Sequence, residues 1–179
     1  MKELFSSLDP FPFAAIDDII PVDLFNELKE YAYKNLPYTE PGIHQHVMKN
    51  YPLMVSRLKE LHYEICEHYY NDWGLTLAET PDVGSFFQFS CYNTTHMNYK
   101  EYNIHNDSPK KITSLVIALS DEGNLTEIYK TPHRNSFVYT ADWKPNRGIM
   151  FKRSDNSWHK VGNPLGTPRV TMSMIRSYV

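Results

Sequence analysis

His105-Asn106-Asp107 places an imidazole and a carboxylate two residues apart. In an extended segment residues i and i+2 point to the same side, so both can reach one metal ion. The segment lies just before Pro109, at the entry to the apolar run Lys111–Leu119. By itself the pair decides nothing, because about 0.5 such His-x-Asp pairs is the chance expectation for a chain of this composition. His159, in Ser157-Trp158-His159-Lys160-Val161, supplies a second imidazole on another expected strand. Two neutral imidazoles and one carboxylate on one face of an ion leave coordination positions open, the arrangement suited to non-haem ferrous iron and dioxygen chemistry. Arg169 follows ten residues later at the start of the last expected strand, and Thr171 faces the same way. A guanidinium and a hydroxyl so placed can grip a carboxylate through charge-assisted hydrogen bonds. Taken alone, Arg169 reads as half of a surface ion pair.

These groups need a frame. The chain has 179 residues, 41% hydrophobic and 22% charged, enough for a real core. Only two cysteines, Cys66 and Cys91, exclude a disulfide framework and show no zinc-type spacing. No eighteen-residue apolar run exists and Met1–Phe5 opens no secretory signal, so neither a membrane span nor export is expected. A reducing cytoplasmic setting fits two free, buried thiols. The net charge of −3 argues against sequence-independent nucleic-acid binding, which needs a basic surface. Thirteen tyrosines suit strand faces or a wet cavity.

The periodicity divides the chain. Residues 1–83 read as mostly helical support and residues 84–179 as strands, within a single domain spanning 1–179. Pro10–Ile16, with two prolines, reads as an edge strand. A helix starts at Pro21, carries Leu24, Leu28 and Tyr31 on one face and ends by Pro37. Residues 37–51, with Pro37, Pro41 and Gly42, read as a loop. A second helix starts near Pro52, aligns Met54, Leu58, Leu61, Ile65 and Tyr69, and stops at Gly74. Strands are expected at Phe86–Tyr92, Lys111–Leu119, Glu127–Tyr129, Ser136–Thr140, Gly148–Lys152, Trp158–Val161 and Arg169–Ile175. Many short strands with regular breaks give an α+β, mainly β class: a jelly-roll (double-stranded β-helix) core with the helices packed on one sheet.

The order His-x-Asp, strand-rich spacer, His, then Arg ten residues on resembles the 2-oxoglutarate- and iron(II)-dependent oxygenases, in their prolyl-hydroxylase-like branch. Tyr102 through Leu119 resembles the first metal-ligand strand pair of that branch. Leu125-Thr126-Glu127-Ile128-Tyr129 resembles its Gly-Thr-Glu-hydrophobic-Tyr strand. Gly148-Ile149-Met150-Phe151 before Trp158-His159 resembles the approach to the distal histidine, and Arg169–Ser173 the co-substrate strand. Pro10–Leu24 is similar to the family's Pro-Phe-Pro opening. The chain departs from the pattern twice. Gly123-Asn124-Leu125 stands where the family has paired glycines, and Ser114–Leu119 lacks the tyrosine that often helps hold the co-substrate. Tyr92, Tyr99 and Tyr102 are the candidates to replace it.

The resemblance implies Fe(II) on His105, Asp107 and His159. It implies 2-oxoglutarate held at its far carboxylate by Arg169, with Thr171 or Ser173 assisting, and dioxygen as the third reactant. A C–H bond is hydroxylated with release of succinate and carbon dioxide. Asp107 argues against a halogenase, which needs that position vacated. The nearest likeness implies a protein or peptide residue as substrate, proline among the possibilities, with a small-molecule hydroxylase close behind. A non-catalytic jelly-roll binding module and a cupin-like metal protein are the competing classes. His44-Gln45-His46 has ligand-like spacing but is weighed against a loop over the site mouth. His62 and His68 are expected partly solvated on the second helix, and His96 and His133 near strand ends. Lys110-Lys111 is expected on a solvated face, and Trp158 in the core.

Overall fold

The computed structural model describes residues 1–40, 42–48, 51–77, 83–93, 103–162 and 168–178. Strands β1 (Lys2–Ser7) and β2 (Phe13–Asp17) precede helix α1 (Val22–Asn35). Strand β3 (Gly42–Val47) and helix α2 (Pro52–Tyr70) follow, then strands β4 (Val83–Asn93) and β5 (Lys111–Ala118). The chain continues through β6 (Glu127–Tyr129), β7 (Phe137–Tyr139), β8 (Gly148–Lys152), β9 (His159–Lys160) and β10 (Arg169–Tyr178). One antiparallel sheet runs β1-β2-β8-β5-β10-β4-β3 and a second runs β7-β6-β9. Among the described residues no helix is long and apolar enough to cross a membrane.

Strict alternation in the large sheet builds two cores. Leu115 and Ile117 of β5, Met150 of β8, Val170, Met172 and Met174 of β10, and Phe87 and Phe89 of β4 face the helices, where Leu24, Leu28, Leu58 and Ile65 meet them. The opposite face carries Phe13, Ala15, Ala118, Ile149 and Phe151 against Leu125 and Ile128 of the small-sheet side. Burying both faces of central strands explains why Lys111–Leu119 and Gly148–Lys152 read as nearly continuous apolar runs. Toward β10 and β4 the same inner face turns polar, with Arg169, Thr171 and Ser173 beside Tyr92, Ser90 and Gln88. That polar stretch becomes the cavity floor.

The first eighty residues differ from expectation in three places. Phe13–Asp17 is fully buried between β1 and β8 and is not an edge. Pro10 and Pro12 fall ahead of the ladder, so their missing N–H groups cost nothing there. The edge is β1, exposed along its length and without apolar alternation to announce it. Residues 42–47 form β3 where a loop is expected, pairing Gly42 to Asn93 through Val47 to Gln88. Main-chain pairing rather than apolar burial holds this strand, whose residues alternate between half-buried and exposed. The helices match expectation more closely. α2 starts with Pro52 in its first turn, buries Leu58, Ile65 and Tyr69, and ends in a turn where Gly74 adopts φ +61°.

Candidate functional site

His105 and His159 meet as an isolated antiparallel bridge. The His105 N–H donates to the His159 carbonyl at 2.9 Å, and the His159 N–H to the His105 carbonyl at 3.0 Å. This clamp sets the two rings 4.6 Å apart. Each ring is then locked locally. His105 Nδ1–H donates to the Asn103 carbonyl at 2.9 Å, and His159 Nδ1–H to the Ser157 carbonyl at 2.8 Å. A carbonyl only accepts, so both Nδ1 atoms carry a proton, which makes Nε2 the lone-pair nitrogen of each ring in its neutral form. Ser157 is itself fixed, its hydroxyl donating to the Ser154 carbonyl while the Ser154 N–H donates back to its Oγ. Asn106 ties the two loops together through the Asp155 carbonyl at 2.6 Å.

Asp107 completes the cluster. One ligand atom from each of His105, Asp107 and His159 lies within 4.8 Å of the others. Asp107 Oδ2 is 3.9 Å from His159 Nε2 and accepts from the Ser114 hydroxyl at 2.9 Å. Its Oδ1 accepts from Lys111 Nζ at 2.6 Å. Burial would raise the Asp107 carboxyl, but the Lys111 charge and the hydrogen bonds from Lys111 and Ser114 hold it below the usual range. Burial, partly offset by Asp107, pushes His159 down to about 4, so its imidazole is neutral at pH 7. Two neutral imidazoles and an ionised carboxylate are the protonation states a divalent ion requires. The donor set therefore fits ferrous iron: nitrogen and oxygen ligands from three side chains, with the remaining positions open.

Arg169, at the start of β10, lines the same cavity of about 190 Å³ together with Thr171, Ser173 and Tyr92. It is 1% exposed, not part of a surface ion pair. Its Nε donates to the Asn124 carbonyl at 2.6 Å, and its Cζ lies 5.2 Å from the Tyr92 ring and 5.7 Å from the Trp143 ring. Cation–π contact on two sides orients a cation that burial would otherwise penalise. Trp143 in turn donates to the Ser120 carbonyl at 2.9 Å. It also fills the space at Gly123, where a Cβ would sit 3.0 Å from its ring. The departure Gly123-Asn124-Leu125 thus has a use here: Gly123 admits Trp143, and Asn124 anchors Arg169 by its backbone.

Three solved structures are similar to this chain at low sequence identity. A prolyl hydroxylase from Trichoplax adhaerens, in complex with a hypoxia inducible factor oxygen degradation domain peptide fragment, has TM-score 0.68 at 13% identity, over 93% of this chain and 83% of that one. A viral collagen prolyl hydroxylase from Paramecium bursaria Chlorella virus-1 has TM-score 0.62 at 14% identity, over 93% and 96%. A 2OG-Fe(II) oxygenase family oxidoreductase from Burkholderia pseudomallei has TM-score 0.63 at 13% identity, over 92% and 84%. The chain has the fold of the 2-oxoglutarate- and iron(II)-dependent oxygenases. No family model and no curated protein matches the sequence. Among the described residues the strands form two separate sheets, with the cavity on the inner face of the larger one.

Several residues sit elsewhere than expected. Lys111 is turned inward onto Asp107 instead of lying on a solvated face, and Ser114 joins it. The sequence did not single out Ser114, whose neighbour Thr113 carries a hydroxyl as well. No local signal marked Trp143, whose role depends on a glycine twenty residues away. His44 and His46 belong to the face of β3 turned toward α1, where the Tyr31 hydroxyl and His46 Nε2 are 2.7 Å apart. Gln45, between them, is the β3 residue that lines the cavity. His62 is 1% exposed, not partly solvated, because it falls on the inner side of α2 next to Phe87. His68 and His133 are exposed, and Trp158 is half-buried rather than core. His96, Tyr99 and Tyr102 lie outside the described residues. On β5 the cavity-facing positions are Ser114 and Val116, without a tyrosine, and Tyr92 of β4 is the tyrosine beside Arg169.

Proposed function

We propose that this protein is a 2-oxoglutarate- and Fe(II)-dependent dioxygenase. It hydroxylates a C–H bond of a protein or peptide residue, proline among the candidates, and releases succinate and carbon dioxide. The observation that carries the reading is the convergence of His105, Asp107 and His159, with both Nδ1–H groups committed to carbonyls, in one cavity with Arg169. His105 Nε2, Asp107 and His159 Nε2 would hold the iron. When bound, the iron with 2-oxoglutarate and dioxygen supplies the oxidising chemistry. The chain's own residues do the rest. Arg169 pairs with the far carboxylate of 2-oxoglutarate, Thr171 and Ser173 offer hydroxyls along the same strand face, and Tyr92 steadies the guanidinium. Phe151, whose ring is 4.4 Å from that of His159, keeps one side of the centre dry. A peptide substrate is supported by the peptide complex of the Trichoplax adhaerens neighbour. Cytoplasmic action is supported by two free, buried cysteines.

Anaerobic addition of Fe(II) and 2-oxoglutarate to the purified protein is expected to give a visible charge-transfer band, absent from Asp107→Ala. Succinate release, screened against peptide and metabolite pools, then identifies the substrate. Absence of the band and of succinate in the wild type would refute the reading.

A further inference from the structure

The two oxygens of Asp107 have different neighbours. Oδ2 faces His159 Nε2 at 3.9 Å and takes the Ser114 hydroxyl at 2.9 Å. Oδ1 is held by Lys111 Nζ at 2.6 Å. The Asp107 side chain is 10% exposed and that of Lys111 28%, so this ion pair stands partly inside the cavity. An ion held between His159 and Asp107 would be on the Oδ2 side of the carboxylate. Engaging Oδ1 as well would require moving the Lys111 ammonium.

Resting on the iron reading above, we infer that Lys111 is a positioning residue that keeps Asp107 a one-oxygen ligand, moderates the site's affinity for divalent ions and strengthens its hold on a dianionic 2-oxo acid. Lys111 cancels the Asp107 carboxylate, so a bound divalent ion presents both of its positive charges to the co-substrate dianion. Without Lys111 that net charge is halved, while the carboxylate gains a second oxygen for the ion. Four residues of chain, across the turn at Ser108–Lys110, carry Lys111 back onto Asp107, so the pair is set by the entry to β5 rather than by the rest of the cavity.

A merely structural ion pair predicts the opposite effect on the metal, since losing a brace on a ligand weakens binding. The test uses the full chain with Co(II) as a spectroscopic probe, titrated into wild type, Lys111→Met and Lys111→Arg, followed by calorimetric titration of 2-oxoglutarate into each Co(II)-loaded protein. Lys111→Met is expected to bind Co(II) about tenfold more tightly and 2-oxoglutarate about tenfold more weakly than wild type. Lys111→Arg keeps the charge and is expected within about threefold of wild type in both. Unchanged or weaker Co(II) binding by Lys111→Met, with 2-oxoglutarate affinity unaltered, overturns the inference while leaving the iron reading standing. Failure of the wild type to bind Co(II) overturns the iron reading itself, and this inference with it.

Discussion

Removing the Arg169 guanidinium is the sharpest probe of how the cavity recognises a carboxylate. The group is 1% exposed, tied to the Asn124 carbonyl at 2.6 Å, and flanked by the rings of Tyr92 and Trp143. It is therefore oriented before any ligand arrives, so little of its binding energy is spent on ordering it. A hydrogen bond to a charged group contributes about 1.5–3 kcal/mol. Arg169→Ala should accordingly weaken 2-oxoglutarate binding by roughly 10- to 150-fold. Arg169 is not among the three residues of the cluster His105, Asp107 and His159, so Mn(II) affinity should stay within about threefold. Calorimetric titration of 2-oxoglutarate into Mn(II)-loaded protein measures the first quantity, and Mn(II) titration alone the second. Arg169→Lys, which retains the charge but not the planar fork, should fall between wild type and alanine. A folded Arg169→Ala protein with a 2-oxoglutarate affinity near that of wild type would refute the assignment.

Trp143→Leu should weaken 2-oxoglutarate several-fold without changing Mn(II) affinity, because it removes one of the two rings in cation–π contact with Arg169, worth about 0.5–2 kcal/mol; an equal loss of both would show general unfolding instead. Gly148→Ala should destabilise the fold by about 1–3 kcal/mol, read by urea titration, since its Cβ would meet the Val116 carbonyl at 2.7 Å and Ile19 at 2.9 Å. Acid stability should depend on His62. Burial, helped by the Arg176 charge, lowers it from 6.5 to about 4, so between those values the unfolded chain takes up the proton that the folded chain refuses. Its contribution is full above pH 6.5 and is lost as pH falls toward 4, about 3 kcal/mol over that window. His159 acts in the same direction in the metal-free protein. His62→Leu should flatten, without abolishing, the fall in unfolding free energy from pH 6.5 to 4. An unchanged slope would show that His62 is already charged in the folded protein.

Legibility followed burial. Strands with both faces covered, β5 and β8, were plain as apolar runs, and α2 as a face from Leu58 to Tyr69, because periodicity records what a core demands of each residue. Exposed edges were not. β1 and β3 are held by backbone pairing that any side chains permit, and the paired prolines ahead of β2 suggested an edge where the chain in fact enters the sheet's interior. The same limit applied to the site. His105, Asp107, His159 and Arg169 could be picked out by residue type and order. Lys111, Ser114 and Trp143 could not, since an inward lysine and a surface lysine look alike until the turn before β5 is drawn.

The amino-acid order alone determined the chemical inventory: two imidazoles, one carboxylate and one guanidinium, with apolar runs long enough to build the sheets behind them. Tertiary structure alone decided which oxygen of Asp107 faces His159, which nitrogens keep their lone pairs, and what surrounds Arg169. Hydrogen-bond geometry and cation–π contact depend on atoms brought together from remote segments, and their positions follow from how two sheets pack, which no local pattern encodes.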